Sequence, residues 1–321
     1  MRRLAGLGSL GFTLWALGLM AAGVAALLIW PRLSAWMLAV PLALLSLNLL
    51  VAILMQPGFR ARPPLLIFHL ALLALVVLLA IGRATYLNGA AEVSEHAYFD
   101  GQLSNYQAGP LHSFAIHGLR FLNESFTIRY LPGPRRAGTL NKVSWVSDSG
   151  DTQTALIGDQ YPLVLGGYRF YTSFNKGFAP IFTWTGADGV PITGDLHLPA
   201  WPLHKNRQSI EWTPPGEDGA LWFLLRFDEP ILSVEHDSVF HVPEEHYIVV
   251  RRGDQRWELR PGDSITLANG TLRYLGLRTW MGYKVSYDWT RPWLLASVVV
   301  AVVSMGWHFW TRFARRSWLR E

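Results

Sequence analysis

Residues 63–82 read PPLLIFHLALLALVVLLAIG, and residues 292–311 read PWLLASVVVAVVSMGWHFWT. Each run is 20 residues long and uncharged, and each is bounded by arginine: Arg62 and Arg83 for the first, Arg291 and Arg312 for the second. A helix needs about 20 apolar residues to cross a hydrocarbon core of ~30 Å. Working outward, Leu4 to Pro31 carries no charge over 28 residues and Leu33 to Phe59 none over 27. The chain therefore reads as a membrane protein with three N-terminal spans and one C-terminal span. The first run follows Arg2 and Arg3 and contains Ala21, Ala22, Ala25 and Ala26, as a secretory leader would. Its apolar stretch is too long for a leader core, so it reads as an uncleaved span.

Arginine counts set the orientation, because cytoplasmic flanks are enriched in basic residues. Arg2, Arg3, Arg60, Arg62, Arg312, Arg315, Arg316 and Arg320 fall on the side holding both termini, against Arg32, Arg83 and Arg291 on the other. Both termini are expected in the cytoplasm of a bacterium, with the spans in its inner membrane. Trp30, Trp36, Trp289 and Trp293 mark one interface, and Trp307 and Trp310 the other. The expected division is residues 1–83 for three spans, 84–291 for a periplasmic domain, and 292–321 for the last span with a basic tail.

Half of the residues are hydrophobic and the formal charge is +5. That charge comes largely from arginines beside the spans, so it reports topology and excludes a nucleic-acid footprint, which needs a clustered basic face. Cysteine is absent. Disulfides, thiolate metal sites and covalent haem attachment are thereby excluded. The 208 residues from Ala84 to Arg291 are enough to build a core without staples.

Within those residues the pattern is one of short alternating strands. Phe114-Ala115-Ile116 with Leu119 and Phe121, Phe126 to Tyr130, Val143 to Val146 and Tyr168 to Tyr171 carry the β-branched and aromatic content of half-buried strands. Turn chemistry separates them at Pro132-Gly133-Pro134, Ser149-Gly150-Asp151, Gly166-Gly167, Ala187-Asp188-Gly189, Pro214-Pro215-Gly216, Arg252-Gly253-Asp254, Pro261-Gly262-Asp263 and Asn269-Gly270. The fold class expected is α + β: four membrane helices with a large antiparallel β-rich extracytoplasmic domain. Residues Pro199 to Arg207 read as an irregular loop.

His69 and His308 sit inside uncharged runs, seven residues from Arg62 and four from Arg312. At 1.5 Å per residue they lie roughly 10 and 6 Å from those arginines. An ionisable ring at such depth is costly and marks a functional site by default, and two at similar depth can serve as axial ligands of haem. The bland alternative is a ring packed between helices or drawn to the interface against a carbonyl.

Several strings, in order along the chain, resemble the ResB/CcsB family of cytochrome c biogenesis by the System II route. They are Leu45-Ser46-Leu47-Asn48-Leu49-Leu50-Val51, Phe68-His69-Leu70 and Ile81-Gly82 in the spans. In the outer domain they are Phe126 to Tyr130 with Pro132-Gly133-Pro134, Tyr161-Pro162-Leu163 leading to Gly167 to Tyr171, and Gly282 to Asp288 running through Pro292. The resemblance implies a haem-handling subunit that works with a tryptophan-rich, CcsA-like membrane partner to move or present haem to extracytoplasmic apocytochrome c. It also implies non-covalent haem b, with His69 matching the intramembrane histidine of the family. The chain is then not a catalyst alone but part of a haem-lyase complex.

The rival class is a structural or electron-transfer anchor of a membrane respiratory complex, with b-type haem or a multihaem cytochrome partner, because a fold does not fix a function. The neighbouring coding sequence discriminates between the two. Weaker constellations read as structural. His236, His241 and His246 beside Glu235, Asp237, Glu244 and Glu245 form a polar loop that Pro243 interrupts. His112 and His117 flank a strand on opposite faces. Arg135, Arg136, Arg251 and Arg252 read as solvated turn charges, with docking of a haem propionate or an acidic partner as the functional reading. Serine, histidine and aspartate are present, but no Gly-x-Ser-x-Gly elbow is. Gly18, Ala22 and Ala26 form a small-residue stripe expected to pack against the chain's own other spans.

Overall fold

A computed structural model describes residues 6–30, 32–199 and 209–313. Among them, four helices are long and apolar enough to cross a membrane by length and composition. These are α1 (Leu10–Ile29), α2 (Ala39–Met55, entered through a 3-10 turn at Ala35–Leu38), α3 (Pro63–Thr85) and α4 (Arg291–Phe313). Ser9 caps α1 by accepting from the Phe12 amide, and Pro63 and Pro64 open α3, where a missing N–H costs nothing. Arg2, Arg3, Arg315, Arg316 and Arg320, which carry much of the orientation argument, lie outside the described residues, as does all of the Pro199–Arg207 segment beyond Pro199.

The chain divides into two compact units. The first comprises residues 1–88, 106–114 and 286–321, and the second 89–105 and 115–285. In the helical unit, α3 packs against both α2 and α4. Asn48, 4% exposed in α2, is the polar clasp of this unit. Its Nδ2 donates to the Leu7 carbonyl at 2.6 Å, and its Oδ1 accepts from the Thr13 hydroxyl at 2.7 Å. The small-residue stripe does not pack as expected. Gly18 and Ala22 are exposed, and α1 instead meets its neighbour at Gly23, where an added Cβ would lie 3.0 Å from Leu38.

Seventeen strands build the rest of the described chain in three antiparallel sheets. The largest runs β10 (Leu198–Pro199), β8 (Tyr168–Gly186), β17 (Gly270–Tyr287), β1 (Leu87–Ser94) and β3 (Asn105–Ala108). A second is ordered β13 (Ser238–Val239), β4 (Phe121–Tyr130), β5 (Arg136–Val146) and β6 (Thr152–Gly158). The third is β11 (Ser209–Trp212), β12 (Leu221–Arg226), β14 (Tyr247–Arg252) and β15 (Gln255–Leu259). The turn residues read from sequence sit at the hairpins, with Gly133, Gly150, Gly189 and Gly253 at positive φ.

The core of this unit is aromatic. Phe99, Phe121, Phe170 and Tyr283 interlock with centroids 5.2–5.5 Å apart, and Phe182, Phe223 and Tyr274 form a second cluster at 5.1–5.3 Å. One buried polar chain threads it. Tyr283 donates to Asn141 Oδ1 at 2.7 Å, Asn141 Nδ2 donates to Asn123 Oδ1 at 2.7 Å and to the Ser125 carbonyl at 2.8 Å, and Asn123 donates to the Val93 carbonyl at 3.0 Å.

The expected strand at Phe114–Ile116 is absent. Ala115–Gly118 form a 3-10 turn, and Phe114 takes φ +53 where the chain bends. His112 and His117 therefore do not flank a strand; they fall in different units.

Candidate functional site

His69 lies in the second turn of α3 and is half-buried. Its Nδ1 faces the Leu65 carbonyl at 2.7 Å, four residues back, and the ring meets Phe68 edge-on at 5.3 Å. A carbonyl only accepts, so Nδ1 carries the proton and Nε2 the lone pair. This is the tautomer of an imidazole that ligates a metal through Nε2 while its other nitrogen is held by a carbonyl.

His308 is half-buried on the covered stripe of α4, which runs through Leu294, Ser297, Ala301, Ser304, Met305, His308 and Thr311 at intervals of one to four residues. Its ring lies 5.7 Å from that of Phe309. Antiparallel packing of α3 on α4 is anchored at Gly82, where a Cβ would come 2.8 Å from the Thr290 hydroxyl. Toward the helix middles the two elements share an apolar groove of about 500 Å³, lined by Ala71, Ala74 and Leu78 on one side and Trp293, Ala296 and Val300 on the other.

Counting from Gly82 and Thr290, His308 lies about five residues further along the pair than His69, or roughly 8 Å. His69 is also two residues from the α4-facing Ala71, a rotation of roughly 160° around the helix. The two rings thus stand at different levels along the helix pair.

His112, read from sequence as a strand-flanking residue, belongs to the helical unit. Residues 106–114 return to the C-terminal end of α3, where the Gly109 amide donates to the Tyr86 carbonyl at 2.9 Å and the Leu111 amide to the Ala84 carbonyl at 2.9 Å. His112 Nδ1 caps the helix at the Thr85 carbonyl, 2.7 Å away, and its ring stands edge-on to Phe114 and Tyr287 at 5.0 and 5.1 Å. No periodicity in sequence foreshadows this placement. The nearest signal is Gly109, whose missing Cβ admits the backbone of residues 83 and 84.

In the β-rich unit the densest polar cluster is one that sequence reading did not assemble. His197 faces Glu92 Oε2 through Nδ1 at 3.1 Å and Ser94 Oγ through Nε2 at 3.0 Å, and it stacks on Trp280 at 5.1 Å and 17°. Connectivity alone imitates a nucleophile, base and acid. The proton of Ser94 Oγ, however, goes to Asp195 Oδ2, which also takes two bonds from Arg278 at 2.8 and 2.5 Å, and Ser94 is 3% exposed. A hydroxyl that donates to a carboxylate and is closed to substrate is not an activated nucleophile. The cluster is a satisfied polar knot joining β1, β17 and the segment before β10.

Arg135 and Arg251 are exposed, as read from sequence, but Arg136 and Arg252 are not solvated turn charges. The Arg136 side chain is 6% exposed, ion-paired to Asp159 at 2.7 Å and laid over the Phe174 ring at 4.7 Å. Arg252 reaches the buried Glu217 at 2.6 Å, and Arg251 stacks on Trp222 at 5.5 Å. Strand pairing carries each away from its turn and onto a neighbouring side chain. His236 and His241 remain exposed and take local partners, Ser233 at 3.0 Å and Glu229 at 3.2 Å. His246 does not belong with them. Its ring is partly buried, burial lowers its pKa, and Nδ1 is held by the Pro243 carbonyl at 3.0 Å. Among the described residues no group of three or more metal-ligating side chains converges.

Comparison with known family models returns no match, and comparison with curated proteins returns none.

Proposed function

We propose that the chain is a multi-pass protein of the bacterial inner membrane, with both termini cytoplasmic and the β-rich unit periplasmic. In this reading it holds haem b non-covalently within the bilayer and, with a CcsA-like partner, presents it to extracytoplasmic apocytochrome c. The observation that supports the reading is His69: an imidazole in an uncharged helix whose Nδ1 is held by the Leu65 carbonyl, the tautomer of a histidine that ligates a metal through Nε2. The residues fit the group in charge as well, since apolar helices suit a haem face and neutral imidazole suits its iron.

Haem, when bound, would supply the iron that the His69 imidazole holds. What this chain contributes is position. Leu65 fixes the ring plane of His69 through its carbonyl, and Phe68 limits its rotation. His308, on the covered stripe of α4, is assigned a packing role.

The test is an absorption spectrum, oxidised and dithionite-reduced, of the detergent-purified protein, alone and co-expressed with the partner, beside His69→Ala and His308→Ala. A b-type spectrum lost in His69→Ala and kept in His308→Ala is expected. Loss in both variants would make the ligand pair internal. Colourless wild-type protein in both preparations overturns haem ligation and leaves the anchoring role in a respiratory complex.

A further inference from the structure

The chain has four lysines. Lys142 and Lys284 are exposed and Lys205 lies outside the described residues, whereas Lys176 on β8 is 6% exposed. Its Nζ lies over two rings, Tyr130 at 5.5 Å and Phe240 at 5.3 Å. These faces favour a cation but offer no counter-charge. Among the described residues, the ion pairs leave Lys176 without a carboxylate. The charged neighbour that acts on it is Arg136, of the same sign.

Arg136 is itself incompletely matched. Its Nη1 donates to the Ser173 carbonyl at 2.7 Å, and its Nη2 serves Asp159 and Thr139. Its Nε is buried and has no partner. Two features place it beside Lys176. Its guanidinium covers Phe174, which shares a face of β8 with Lys176 two residues on, and it pairs in register with Tyr130, whose ring carries the lysine. Of these two buried cations only Arg136 has a carboxylate, Asp159, which also accepts from Thr172 at 2.7 Å. A buried charge and an unmet buried donor each cost free energy unless paired.

We propose that Lys176 and the Arg136 Nε–H form a binding site for an oxyanion group, a carboxylate or a phosphate. One negative group placed there satisfies the orphan donor, gives the ammonium its counter-ion and separates two like charges. The lysine supplies a compact charge with three donors, and the guanidinium edge supplies a directed one. Phe174, over which the Arg136 guanidinium lies, is 76% exposed. Burial, with Arg136 adding to it, lowers the Lys176 amine to about 8, and a bound anion opposes that lowering by favouring the charged form.

The experiment uses the full-length protein in detergent, with inorganic phosphate and acetate as separate probes and chloride at matched ionic strength as the control for screening. Thermal unfolding and amine labelling, resolved by mass spectrometry over the four lysines, are read together. Phosphate or acetate is expected to raise the unfolding temperature of wild type and of Lys176→Arg, but not of Lys176→Met. The same anion slows labelling of Lys176 about tenfold for each unit by which its pKa rises, with Lys142 and Lys284 unchanged. The active probe tells whether the site takes a phosphate or a carboxylate. Equal stabilisation of wild type and Lys176→Met, or none by either anion, overturns the site.

Discussion

Replacing Asn141 by leucine tests whether the polar chain in the β-rich core is a structural necessity. Asn141 is fully buried, and so are Asn123 and Tyr283. Leucine keeps the branching but leaves two buried groups unmet, the Tyr283 hydroxyl and Asn123 Oδ1, and takes a donor from the Ser125 carbonyl. Each buried group left unmet costs roughly 1–3 kcal/mol, so the expected loss is about 2–6 kcal/mol. Tyr283→Phe removes only the donor to Asn141 Oδ1, for about 1–2 kcal/mol. Burial pushes the Tyr283 phenol well above its ordinary pKa, so it remains a donor throughout the accessible pH range. For a unit of this size, one kcal/mol moves the unfolding midpoint by about 2–4 °C. Thermal unfolding followed by tryptophan fluorescence should place Asn141→Leu roughly 10 °C below wild type, and Tyr283→Phe roughly 4 °C below. The double variant should cost less than the sum, since the two changes share one hydrogen bond. Were Tyr283→Phe as damaging as Asn141→Leu, or were the two strictly additive, the network argument would be wrong.

Other changes probe other parts of the chain. Asn48→Leu removes the clasp between α2 and the start of α1; a loss of about 1–2 kcal/mol is expected, seen as earlier unfolding in a detergent titration and as faster proteolysis near the N-terminus. Gly177→Ala places a Cβ against the Leu198 carbonyl and 2.7 Å from Trp280 Nε1, so β10 must detach from β8; hydrogen exchange confined to Leu198 and its neighbours would reveal it, and an unchanged exchange pattern would contradict it. His246, held below its ordinary pKa by burial, takes up its proton later than the unfolded chain does. Stability should therefore fall as pH drops below about 6.5, and His246→Gln should flatten that fall. A slope identical in wild type and variant would show that another group is responsible.

The helices were legible because a charge-free run of 20 residues has few alternatives, and the hairpins because Asn-Gly, Asp-Gly and Gly-Gly pairs supply the positive φ their turns require. The two longest strands were not legible in their full length, although Tyr168 to Tyr171 marks the start of β8. β8 holds Gly177 and Pro180, and β17 holds Gly276 and Gly282, which in sequence look like breaks. Strand packing explains them, for a Cβ at Gly282 would come 2.8 Å from the Asn175 carbonyl, so only glycine allows these chains to pass.

The site divides in the same way. His69 was found from its position in an apolar run, a one-dimensional property. That its Nδ1 is held by the Leu65 carbonyl, and that His308 lies on the covered stripe of α4, depend on how the helices fold and pack. Lys176, Arg136 and Tyr130 carry no spacing in sequence that links them; only the packing of β4, β5 and β8 sets one buried cation over Tyr130 and the other beside it. Sequence alone determined which segments are apolar enough to leave water and where the chain must turn, because hydrophobicity and backbone freedom are local. Which buried polar groups meet was decided by the tertiary structure, because pairing depends on register between strands distant in sequence.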